Sequence, residues 1–492
     1  MEVHDLVDIA ELERKHALDS INPKTQSTLG QFFTPAPAAR LIASMIDFPD
    51  QEQYKILDPG AGSGILSAAL IERLLREKPN AIIHVTAVER DPAMIPFLTA
   101  TLHACEQLAP AQVSTQVLEA DYILDSTGLD STLNFQAEFD IVIENPPYGK
   151  ISNSSPHRKA LQAYGLDTPN LYAAFLALSI DTLKSGGTLV AITPRSFFNG
   201  PYFGSFRKRL LRSLTLNKIH VFDSRSTVFN DTGVLQENVI FAASKNTPQG
   251  KVTLSVSHDH LGDQVQRHVA YTEVVRPNDP HQFIRLATSE EDTEIAEKML
   301  TLPCSLTDLG ITVSTGKVVD FRSKESLSFI QSEDGHPLVY PVNIKNGTVT
   351  WPIDGRKPQW FIPASDKENM LLLPEGWYTV VKRFSSKEER RRIVAATWSP
   401  IVKPGSVAFE NHLNVFHTSG VGLDQDLAHG LTAWLNSTFV DRYFRMFSGH
   451  TQVNATDLKT LRFPSTEDLR KLSKESDGTT ESIDLILKEK GF

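Results

Sequence analysis

Short apolar runs alternate with amphipathic stretches from Tyr54 to about Lys245, and no other feature restricts the fold of this chain as strongly. The runs are rich in β-branched residues, as strands are, and the stretches between them have helical spacing. Such alternation predicts an α/β fold in which helices cover a mostly parallel, seven-stranded sheet. The predicted strands are Tyr54–Asp58, Ile82–Glu89, Val113–Glu119, Phe139–Glu144, Thr188–Thr193, Leu216–Phe222 and Asn238–Ala243. The predicted helices are Gly64–Glu77, Pro92–Glu106, Asn170–Leu183 and Phe203–Leu214, with Gly186-Gly187 separating the third helix from the next strand.

After Lys245 the pattern changes to short strands interrupted by prolines, glycines and polar clusters, which predicts a second, α+β domain. We expect four regions: an N-terminal helical arm at 1–28, the α/β domain at 29–248, the second domain at 249–465, and a tail at 466–492 that frays or forms a closing helix. The predicted elements after Lys245 are strands at Val252–Val256, Leu338–Val342 and Val349–Ile353 and helices at Lys387–Ala396, Gln425–Leu435 and Thr438–Phe447.

Composition narrows the function classes. The chain has 492 residues and a net charge of −10, which argues against a protein that only coats nucleic acid but leaves specific binding open. No apolar stretch approaches the roughly 18 residues of a membrane helix, and the polar start is not a secretion signal, so we expect a cytoplasmic protein without membrane contact. Cys105 and Cys304 stand far apart, and His157, His412 and His450 are scattered, so neither a disulfide nor a metal site is expected.

A glycine-rich turn follows the first predicted strand and opens the first predicted helix, with the sequence Asp58-Pro59-Gly60-Ala61-Gly62-Ser63-Gly64. Glycines let the backbone approach a ligand closely, and a helix N-terminus presents free N–H groups. Glu89 ends the next strand, where an acid can accept hydrogen bonds from both ribose hydroxyls, and Asp121 follows the third strand, in a position to accept from an adenine amino group. The pattern predicts a site for an adenosine-containing cofactor. A structural turn and a dinucleotide site stay open as alternatives, although the spacing is not G-x-G-x-x-G.

The strand Phe139–Glu144 leads into Asn145-Pro146-Pro147-Tyr148. The exocyclic amine of adenine is a poor nucleophile because its lone pair is conjugated with the ring. Two acceptors for its hydrogens, the Asn145 side-chain oxygen and the Pro146 carbonyl, would favour a tetrahedral nitrogen with its lone pair free to attack. The prolines hold these acceptors rigidly, and Tyr148 can stack on the base. The motif indicates methylation of a planar amine, and a proline-rich structural turn is the alternative.

The glycine turn resembles the first motif of S-adenosylmethionine-dependent methyltransferases, which have a Rossmann-like domain. Upstream, Gly30-Gln31-Phe32-Phe33-Thr34-Pro35 resembles the tenth motif of amino-methylating DNA enzymes, which wraps the methionine end of the cofactor; an ordinary turn is the alternative. Asn170-Leu171-Tyr172-Ala173-Ala174-Phe175 resembles the fifth motif, which implies that Phe175 packs against the cofactor adenine. The resemblance thus implies S-adenosylmethionine as the cofactor, with the binding residues Phe33, Thr34, Asp58, Pro59, Gly60, Ala61, Gly62, Gly64, Glu89, Asp121 and Phe175.

The order of the motifs from Leu29 to Pro464 resembles the γ class of DNA adenine methyltransferases. This resemblance implies that 29–248 is the catalytic domain and 249–465 the target-recognition domain. TaqI-like members place an aromatic residue from a later motif on the second face of a flipped adenine. Matching Ala191-Ile192-Thr193-Pro194 to that motif gives Phe203 this role, with Phe197, Phe198 or plain core packing as alternatives. The implied catalytic residues are Asn145, Pro146, Pro147, Tyr148 and Phe203.

The C-terminal half resembles the PstI/BsuBI group of modification methylases through two segments, Val313-Ser314-Thr315-Gly316-Lys317-Val318-Val319-Asp320-Phe321-Arg322 and Arg383-Phe384-Ser385-Ser386-Lys387-Glu388-Glu389-Arg390-Arg391-Arg392. The resemblance implies the palindrome CTGCAG as target. Within these segments Lys317 and Arg322 are expected to read bases. Phosphate contacts are expected from Arg383, Arg390, Arg391 and Arg392. A solvated basic face is the alternative.

Together these features predict a site-specific adenine-N6 DNA methyltransferase (EC 2.1.1.72) that flips its target base and protects host DNA from a restriction endonuclease encoded separately. We expect a monomer that binds double-stranded DNA. Two other classes stay open: a methyltransferase for an RNA amine or a protein glutamine, and a non-catalytic DNA-binding subunit. The long C-terminal region favours DNA over RNA or protein, and the intact cofactor turn and amine motif disfavour a non-catalytic subunit.

Overall fold

The computed structural model describes residues 6–20, 33–128, 138–222, 237–260, 262–385, 388–401 and 405–491. The chain divides into two compact units, Met1–Thr288 and Ser289–Phe492. Along the described residues, no helix is both long and apolar enough to cross a bilayer.

The first unit is built on a nine-stranded sheet with the strand order β3-β2-β1-β4-β5-β7-β6-β8-β9. The strands are β1 Gln53–Pro59, β2 Ile82–Glu89, β3 Val113–Glu119, β4 Phe139–Glu144, β5 Leu183–Pro194, β6 Leu214–Phe222, β7 Asn238–Lys245, β8 Val252–Ser257 and β9 Val265–Val269. Strands β1 to β5 pair in parallel, whereas β7 is antiparallel to both β5 and β6. The seven predicted strands therefore form the Rossmann-like sheet that the sequence predicts, and the strand order reverses between β1 and β4, where such sheets bind ligands.

Helices cover this sheet on both faces because each strand alternates apolar side chains into two cores. The helices of the first unit are α1 Leu6–Ser20, α2 Ala36–Ser44, α3 Ile65–Glu77, α4 Ile95–Leu108, α5 Tyr122–Ser126, α6 Pro156–Ala163, α7 Leu171–Thr182, α8 Gly204–Ser213 and α9 Tyr271–Val274. Helix α1 buries Leu6, Val7 and Ala10 in one core, and the Val7 N–H donates to the Glu72 carboxylate over 3.1 Å. The N-terminal helix is thus packed on the first unit.

Gly186-Gly187 does not separate a helix from a strand, so that prediction is wrong. Helix α7 ends at Thr182, and β5 begins at Leu183 and runs through both glycines. A Cβ at Gly187 would lie 3.0 Å from the Phe139 carbonyl oxygen, in the region where the register of β4 against β5 shifts. The glycines therefore allow a close, irregular pairing of two strands.

The boundary between the units lies at Thr288/Ser289 rather than near residue 248. Strand β8 pairs in parallel with β6, and β9 pairs with β8, so both extend the first sheet. Val252 and Leu254 on β8 are buried in the core of that sheet. Short strands after Lys245 looked like a change of domain, but pairing with an existing sheet edge decides where they belong.

The second unit holds two sheets, with strand orders β10-β20-β17-β18-β14-β13 and β11-β15-β12-β19-β16. Its strands are β10 Thr312–Thr315, β11 Leu327–Ser328, β12 His336–Val339, β13 Ile344–Lys345, β14 Thr348–Val349, β15 Trp360–Phe361, β16 Leu373–Pro374, β17 Tyr378–Lys382, β18 Ala395–Trp398, β19 Ser406–Phe409 and β20 Leu413–His417. Its helices are α10 Glu290–Thr301, α11 Asp366–Asn369, α12 Gln425–Leu435, α13 Thr438–Arg445, α14 Ala455–Lys459, α15 Thr466–Glu475 and α16 Thr480–Glu489. An α+β organisation is therefore present, as predicted.

One predicted helix of the second unit is wrong, whereas the tail, expected to fray or to form a closing helix, is helical. The predicted helix Lys387–Ala396 is absent from its described part, 388–396, because Ala395 and Ala396 belong to strand β18, which is buried between two neighbouring strands. Sheet pairing outweighs the helix propensity of the Lys/Glu/Arg run there. The tail at 466–492 forms two helices, and α15 approaches α12 so closely that a Cβ at Gly430 would lie 1.8 Å from the Leu469 carbonyl oxygen. The tail is thus part of the packed unit.

Candidate active site

A cavity of about 280 Å³ opens where the carboxyl ends of β1, β2 and β4 meet. It brings together the glycine turn, both acidic residues of the neighbouring strand ends and the Asn145 motif, although these are far apart in sequence. The lining residues include Phe33, Thr34, Gly60, Ala61, Gly62, Glu89, Arg90, Asp121, Tyr122, Asn145, Pro147, His157 and Phe175. Asn145 and Pro147 of the amine motif and most of the predicted cofactor residues therefore line one cavity, whereas Pro146, Tyr148 and Phe203 are not among its lining residues.

The glycine turn needs its glycines because three of them have left-handed backbone conformations, with φ of 75° at Gly60, 56° at Gly62 and 83° at Gly64. The N–H groups of Gly60 and Ala61 donate to the Val88 carbonyl over 2.8 and 2.9 Å, which pins the turn to strand β2. A Cβ at Gly64 would lie 2.9 Å from Leu98. Gly64 thus serves helix packing, whereas Gly60, Ala61 and Gly62 line the cavity.

Asp58 and Pro59 end β1 beneath the turn, and neither is among the residues that line the cavity. Asp58 is fully buried and accepts a hydrogen bond from the Ser67 hydroxyl over 2.6 Å. Burial raises the pKa of Asp58 to about 7, opposed by the Ser67 hydrogen bond and assisted by the charge of Glu89. Asp58 therefore ties the turn to helix α3 from below, where the sequence predicted direct contact with the cofactor.

Glu89 lies at the floor of the cavity and is nearly buried. Its carboxylate accepts three backbone N–H groups, from Gly62 over 2.8 Å, Arg90 over 2.8 Å and Asp91 over 2.7 Å. Burial raises the pKa of Glu89 although these hydrogen bonds lower it. The carboxylate is thus held in one position between the glycine turn and the end of β2.

Asp121 caps helix α5, accepting from the N–H groups of Ile123 and Leu124 over 3.2 Å each. Its second oxygen contacts His157 Nε2 at 2.8 Å and the Arg90 guanidinium at 3.1 Å. Burial would raise the pKa of Asp121, but the His157 hydrogen bond and the charges of His157 and Arg90 lower it overall. The carboxylate is therefore ionised and firmly positioned at the cavity wall.

Sequence reasoning gave His157 and Arg90 no role in this site. Ser155-Pro156 before His157 is a recognisable helix start, and Ser155 does cap α6. Nothing in the sequence, however, signals that the first turn of α6 reaches Asp121, which lies 36 residues earlier. Arg90 directly follows Glu89, so its position at the end of strand β2 could have indicated that it belongs to the site.

Aromatic rings close the cavity on both sides of the glycine turn. A Cβ at Gly60 would lie 3.3 Å from the Phe175 ring, and one at Gly62 would lie 3.7 Å from the Phe33 ring. Phe175 also packs against Tyr122, with ring centroids 5.1 Å apart. Phe33 and Phe175 thus line the cavity beside the glycine turn, while Gly30, Gln31 and Phe32 lie outside the described residues.

Asn145 follows the buried end of β4, and its side-chain Nδ2 donates to the Thr34 hydroxyl over 3.0 Å. With the amide nitrogen directed at Thr34, the amide oxygen is directed away from it. Pro146 is buried and Pro147 lines the cavity, so the segment leaves the sheet in a rigid course. The structure thus joins Thr34 of the upstream motif to the amine motif across 111 residues.

Tyr148 and Phe203 both pack against the same buried ring, Tyr172. The Tyr148 ring meets it edge-on with centroids 6.4 Å apart, and the Phe203 ring stacks on it at 5.4 Å and 23°. The Tyr148 hydroxyl donates to the Ile192 carbonyl over 3.2 Å. Phe197 and Phe198 are each only 1% exposed, so these alternatives to Phe203 are core residues.

The basic residues singled out in the C-terminal segments fall in different places of the second unit. Lys317 is exposed and donates to the Met370 carbonyl over 3.0 Å, and the Arg322 guanidinium lies 5.4 Å from the Phe321 ring centre. Arg383 is half-buried and donates to the Asn411 carbonyl over 3.2 Å. Lys317 and Arg322 are therefore exposed at the surface of the unit, whereas Arg383 is only partly exposed.

The three consecutive arginines do not act alike. Arg390 is exposed and pairs with Glu481 at 3.2 Å, and Arg391 donates to the Thr480 hydroxyl. Arg392 is only 1% exposed and donates to the Ser385 hydroxyl and the His450 carbonyl. A phosphate contact by Arg392 is therefore wrong, because its guanidinium is used inside the unit.

Among the described residues, no group of three or more His, Cys, Asp or Glu side chains could hold a metal ion.

Comparisons with known proteins agree on the family. A sequence profile described as Eco57I restriction-modification methylase matches residues 101–229. The type II methyltransferase M.PstI of Providencia stuartii is 41% identical over 470 residues, which cover 94% of this chain and 92% of the relative. The type II methyltransferase M.BsuBI of Bacillus subtilis is 42% identical over 467 residues, 92% of each.

Two solved structures resemble the whole chain in fold. DrdV, solved in complex with DNA, matches with a TM-score of 0.52 at 13% identity, covering 96% of this chain and 60% of that one. The type IIL restriction-modification enzyme MmeI, also solved with DNA, matches with a TM-score of 0.51 at 12% identity, covering 99% and 69%. Identities above 40% over nine-tenths of the chain decide the family. The chain belongs to the type II methyltransferases of restriction-modification systems.

Proposed function

We propose that this methyltransferase transfers a methyl group to the N6 amine of an adenine that has been flipped out of duplex DNA, the activity EC 2.1.1.72. One observation carries the proposal: the Asn145 amide, held by Thr34, stands at the end of β4 beside the glycine turn. A polar acceptor fixed next to a cofactor cavity is what activation of an exocyclic amine requires.

The cavity fits S-adenosylmethionine by the chemistry of its lining. Glu89 offers a fixed carboxylate for the ribose hydroxyls, and Asp121 and the backbone of Tyr122 lie where an adenine edge would be recognised. Phe33 and Phe175 supply apolar faces on either side of the turn. Thr34, Gly60, Ala61 and Gly62 complete the wall, whereas Asp58, Pro59 and Gly64 hold the turn in shape.

The cofactor, when bound, supplies an electrophilic methyl group on a sulfonium centre. The Asn145 side-chain oxygen and the Pro146 carbonyl accept the two N6 hydrogens of the target base, which favours a tetrahedral nitrogen with an available lone pair. Because Thr34 holds the amide nitrogen, the Asn145 oxygen keeps its direction before the base arrives. The chain's contribution to rate is thus mainly positioning and polarisation of the amine.

Tyr148 and Phe203 are proposed to hold the flipped adenine between aromatic faces. Both rings contact Tyr172, the Tyr148 ring edge-on and the Phe203 ring stacked. Base–aromatic stacking compensates the loss of stacking inside the duplex.

DNA is favoured over an RNA amine or a protein glutamine by the size of the second unit and by the relatives. Unit Ser289–Phe492 is an α+β body in its own right, larger than catalysis needs. The relatives at 41–42% identity are type II methyltransferases over nearly their whole length. We propose that the second unit recognises the target, with the PstI-type palindrome CTGCAG as the candidate site.

In this proposal the protein acts as a monomer in the cytoplasm and protects host DNA from an endonuclease encoded separately. The decisive experiment is expression in a host without adenine methylation, followed by long-read sequencing of its DNA. We expect N6-methyladenine within a single short motif. Absence of methylated adenine in that map would refute the proposal, and a motif other than CTGCAG would refute only the site. Modified RNA or protein in the same cells would favour the alternative substrates.

A further inference from the structure

Four segments of the second unit meet around the turn between β19 and β20. The Gly316 N–H donates to the Leu413 carbonyl over 2.8 Å, and the Asn411 N–H donates to the Val318 carbonyl over 2.8 Å. The Arg383 N–H donates to the His412 carbonyl over 2.8 Å, and Phe384 pairs with Gln452. We call the outer face of the segments 316–318, 383–385, 410–413 and 451–453 the four-segment surface.

The two C-terminal segments singled out in the sequence are therefore neighbours in space, joined through Glu410 to Leu413. This packing requires the glycine at position 316 of the first segment. A Cβ there would lie 2.2 Å from the Glu410 carbonyl oxygen and 2.7 Å from the Phe409 carbonyl oxygen, so only glycine allows this contact. The packing fixes Lys317 and Arg383 on either side of the same turn.

His412 is an exposed side chain of the four-segment surface that is held by neighbouring side chains. Its side chain is 48% exposed, while its partner Glu410 is 1% exposed. Glu410 accepts from His412 Nδ1 over 2.5 Å and from the His412 backbone N–H over 3.0 Å. The imidazole also rests on the Phe384 ring, with centroids 5.0 Å apart. Two contacts, with Glu410 and with Phe384, thus position the ring, and the Glu410 contact uses Nδ1 rather than Nε2.

The charge of the surface indicates the kind of partner. Lys317 and Arg383 lie on the two segments that pair with the turn carrying His412, the Glu410 carboxylate is buried, and Asp320 is paired with Lys357 at 2.6 Å. The exposed groups are thus cationic and aromatic on a protein whose net charge is −10. A polyanion with flat polar edges, which is duplex DNA, complements this arrangement better than a protein surface does.

We propose that His412, oriented by Glu410 and supported by Phe384, contacts a base edge and contributes to sequence discrimination, with Glu410 as its positioning residue. The inference rests on the proposed DNA methyltransferase activity and adds the residue that reads a base. In this arrangement Arg383 contacts a phosphate beside that base, and Lys317, expected from the sequence to read a base, contacts a phosphate instead. An oriented imidazole costs little ordering on binding, because its rotamer is already set by Glu410 and Phe384.

The test compares His412→Ala with His429→Ala in the full-length protein. His429 is a matched control, because it also packs on an aromatic ring of the second unit, Trp377, at 5.3 Å. Each variant is expressed in the methylation-deficient host, and methylation is mapped against wild type. We expect His412→Ala to lower the preference for the wild-type motif over variants that differ at one base pair by about tenfold to hundredfold. His429→Ala should keep the wild-type preference.

Unchanged discrimination in His412→Ala, with a clear wild-type motif, would overturn this inference and leave the proposed function standing. A wild-type protein that methylates no adenine would overturn both. Glu410→Gln tests the positioning role: we expect a higher KM for DNA with kcat within about twofold, and unchanged binding of S-adenosylhomocysteine. A lower kcat at unchanged KM would contradict it.

Discussion

In both units a buried carboxylate positions a functional group. Only in the first unit does the sequence pattern indicate where that carboxylate lies. In the first unit, the buried carboxylate of Glu89 holds the cofactor turn through three backbone N–H groups. In the second, the buried carboxylate of Glu410 holds His412. The first arrangement lies at strand ends that follow one another in a regular βα pattern, whereas the second joins segments that only folding brings together. Buried acids as anchors are thus common to both, and only the first can be located from the chain.

The largest effect is expected at the amine motif. Asn145→Ala should lower the methylation rate by about a thousandfold, because one of two acceptors for the amine hydrogens is lost. Binding of S-adenosylhomocysteine, measured by calorimetry, should change by less than about threefold. Retained activity would show that the site of amine activation lies elsewhere. Asn369→Ala, at an exposed asparagine of the second unit that does not line the cavity, is the matched control.

Most of the first unit could be predicted, since the strands Ile82–Glu89, Val113–Glu119 and Phe139–Glu144 have the predicted bounds. Strands β8 and β9 and the boundary at Thr288/Ser289 could not be predicted. Any strand that pairs well can extend the edge of a sheet, and composition gives no information about which strands pair. The role of His157 was missed and the phosphate contact of Arg392 was wrongly predicted for a related reason. Their partners, Asp121 and the His450 carbonyl, lie 36 and 58 residues away, and burial of a charged side chain depends on such distant acceptors.

The next largest effect is expected in the pH dependence of stability, through the buried Asp58 beneath the glycine turn. Because the pKa of Asp58 is about 7 in the folded protein and near 3.8 when unfolded, the unfolded chain loses this proton first. Stability should therefore fall as pH rises between these values, by about 3 kcal/mol from pH 4.5 to 7 for this group. Asp58→Asn should remove that part of the slope in urea titrations at several pH values. An identical slope in the variant would mean that Asp58 ionises normally.

Arg390 and Arg392 allow a buried and an exposed arginine of the second unit to be compared in their effect on stability. Arg392→Ala should destabilise that unit by about 2–3 kcal/mol, because it leaves buried acceptors without donors. Arg390→Ala, at an exposed ion pair, should change stability by less than about 0.5 kcal/mol. Denaturant unfolding of both variants measures the difference. Equal stabilities would contradict the internal role of Arg392.

The smallest effect is expected at the aromatic pair. Phe203→Ala should weaken capture of the flipped base by about tenfold, as loss of one stacking contact does. The measurement is the fluorescence of 2-aminopurine placed at the target position of a DNA duplex, which rises when the base leaves the stack. Tyr202→Ala is a suitable control, since Tyr202 is 77% exposed on the same turn. Equal fluorescence in wild type and Phe203→Ala would remove Phe203 from the base site.

Analysis of the product tests the central claim most directly. Duplex DNA carrying the motif is incubated with the purified protein and S-adenosylmethionine, digested to nucleosides and analysed by mass spectrometry. We predict N6-methyladenine as the product, formed by the wild-type protein and lost in Asn145→Ala. Methylation of cytosine instead of adenine, or no methylated nucleoside at all, would contradict the account of the Asn145 site.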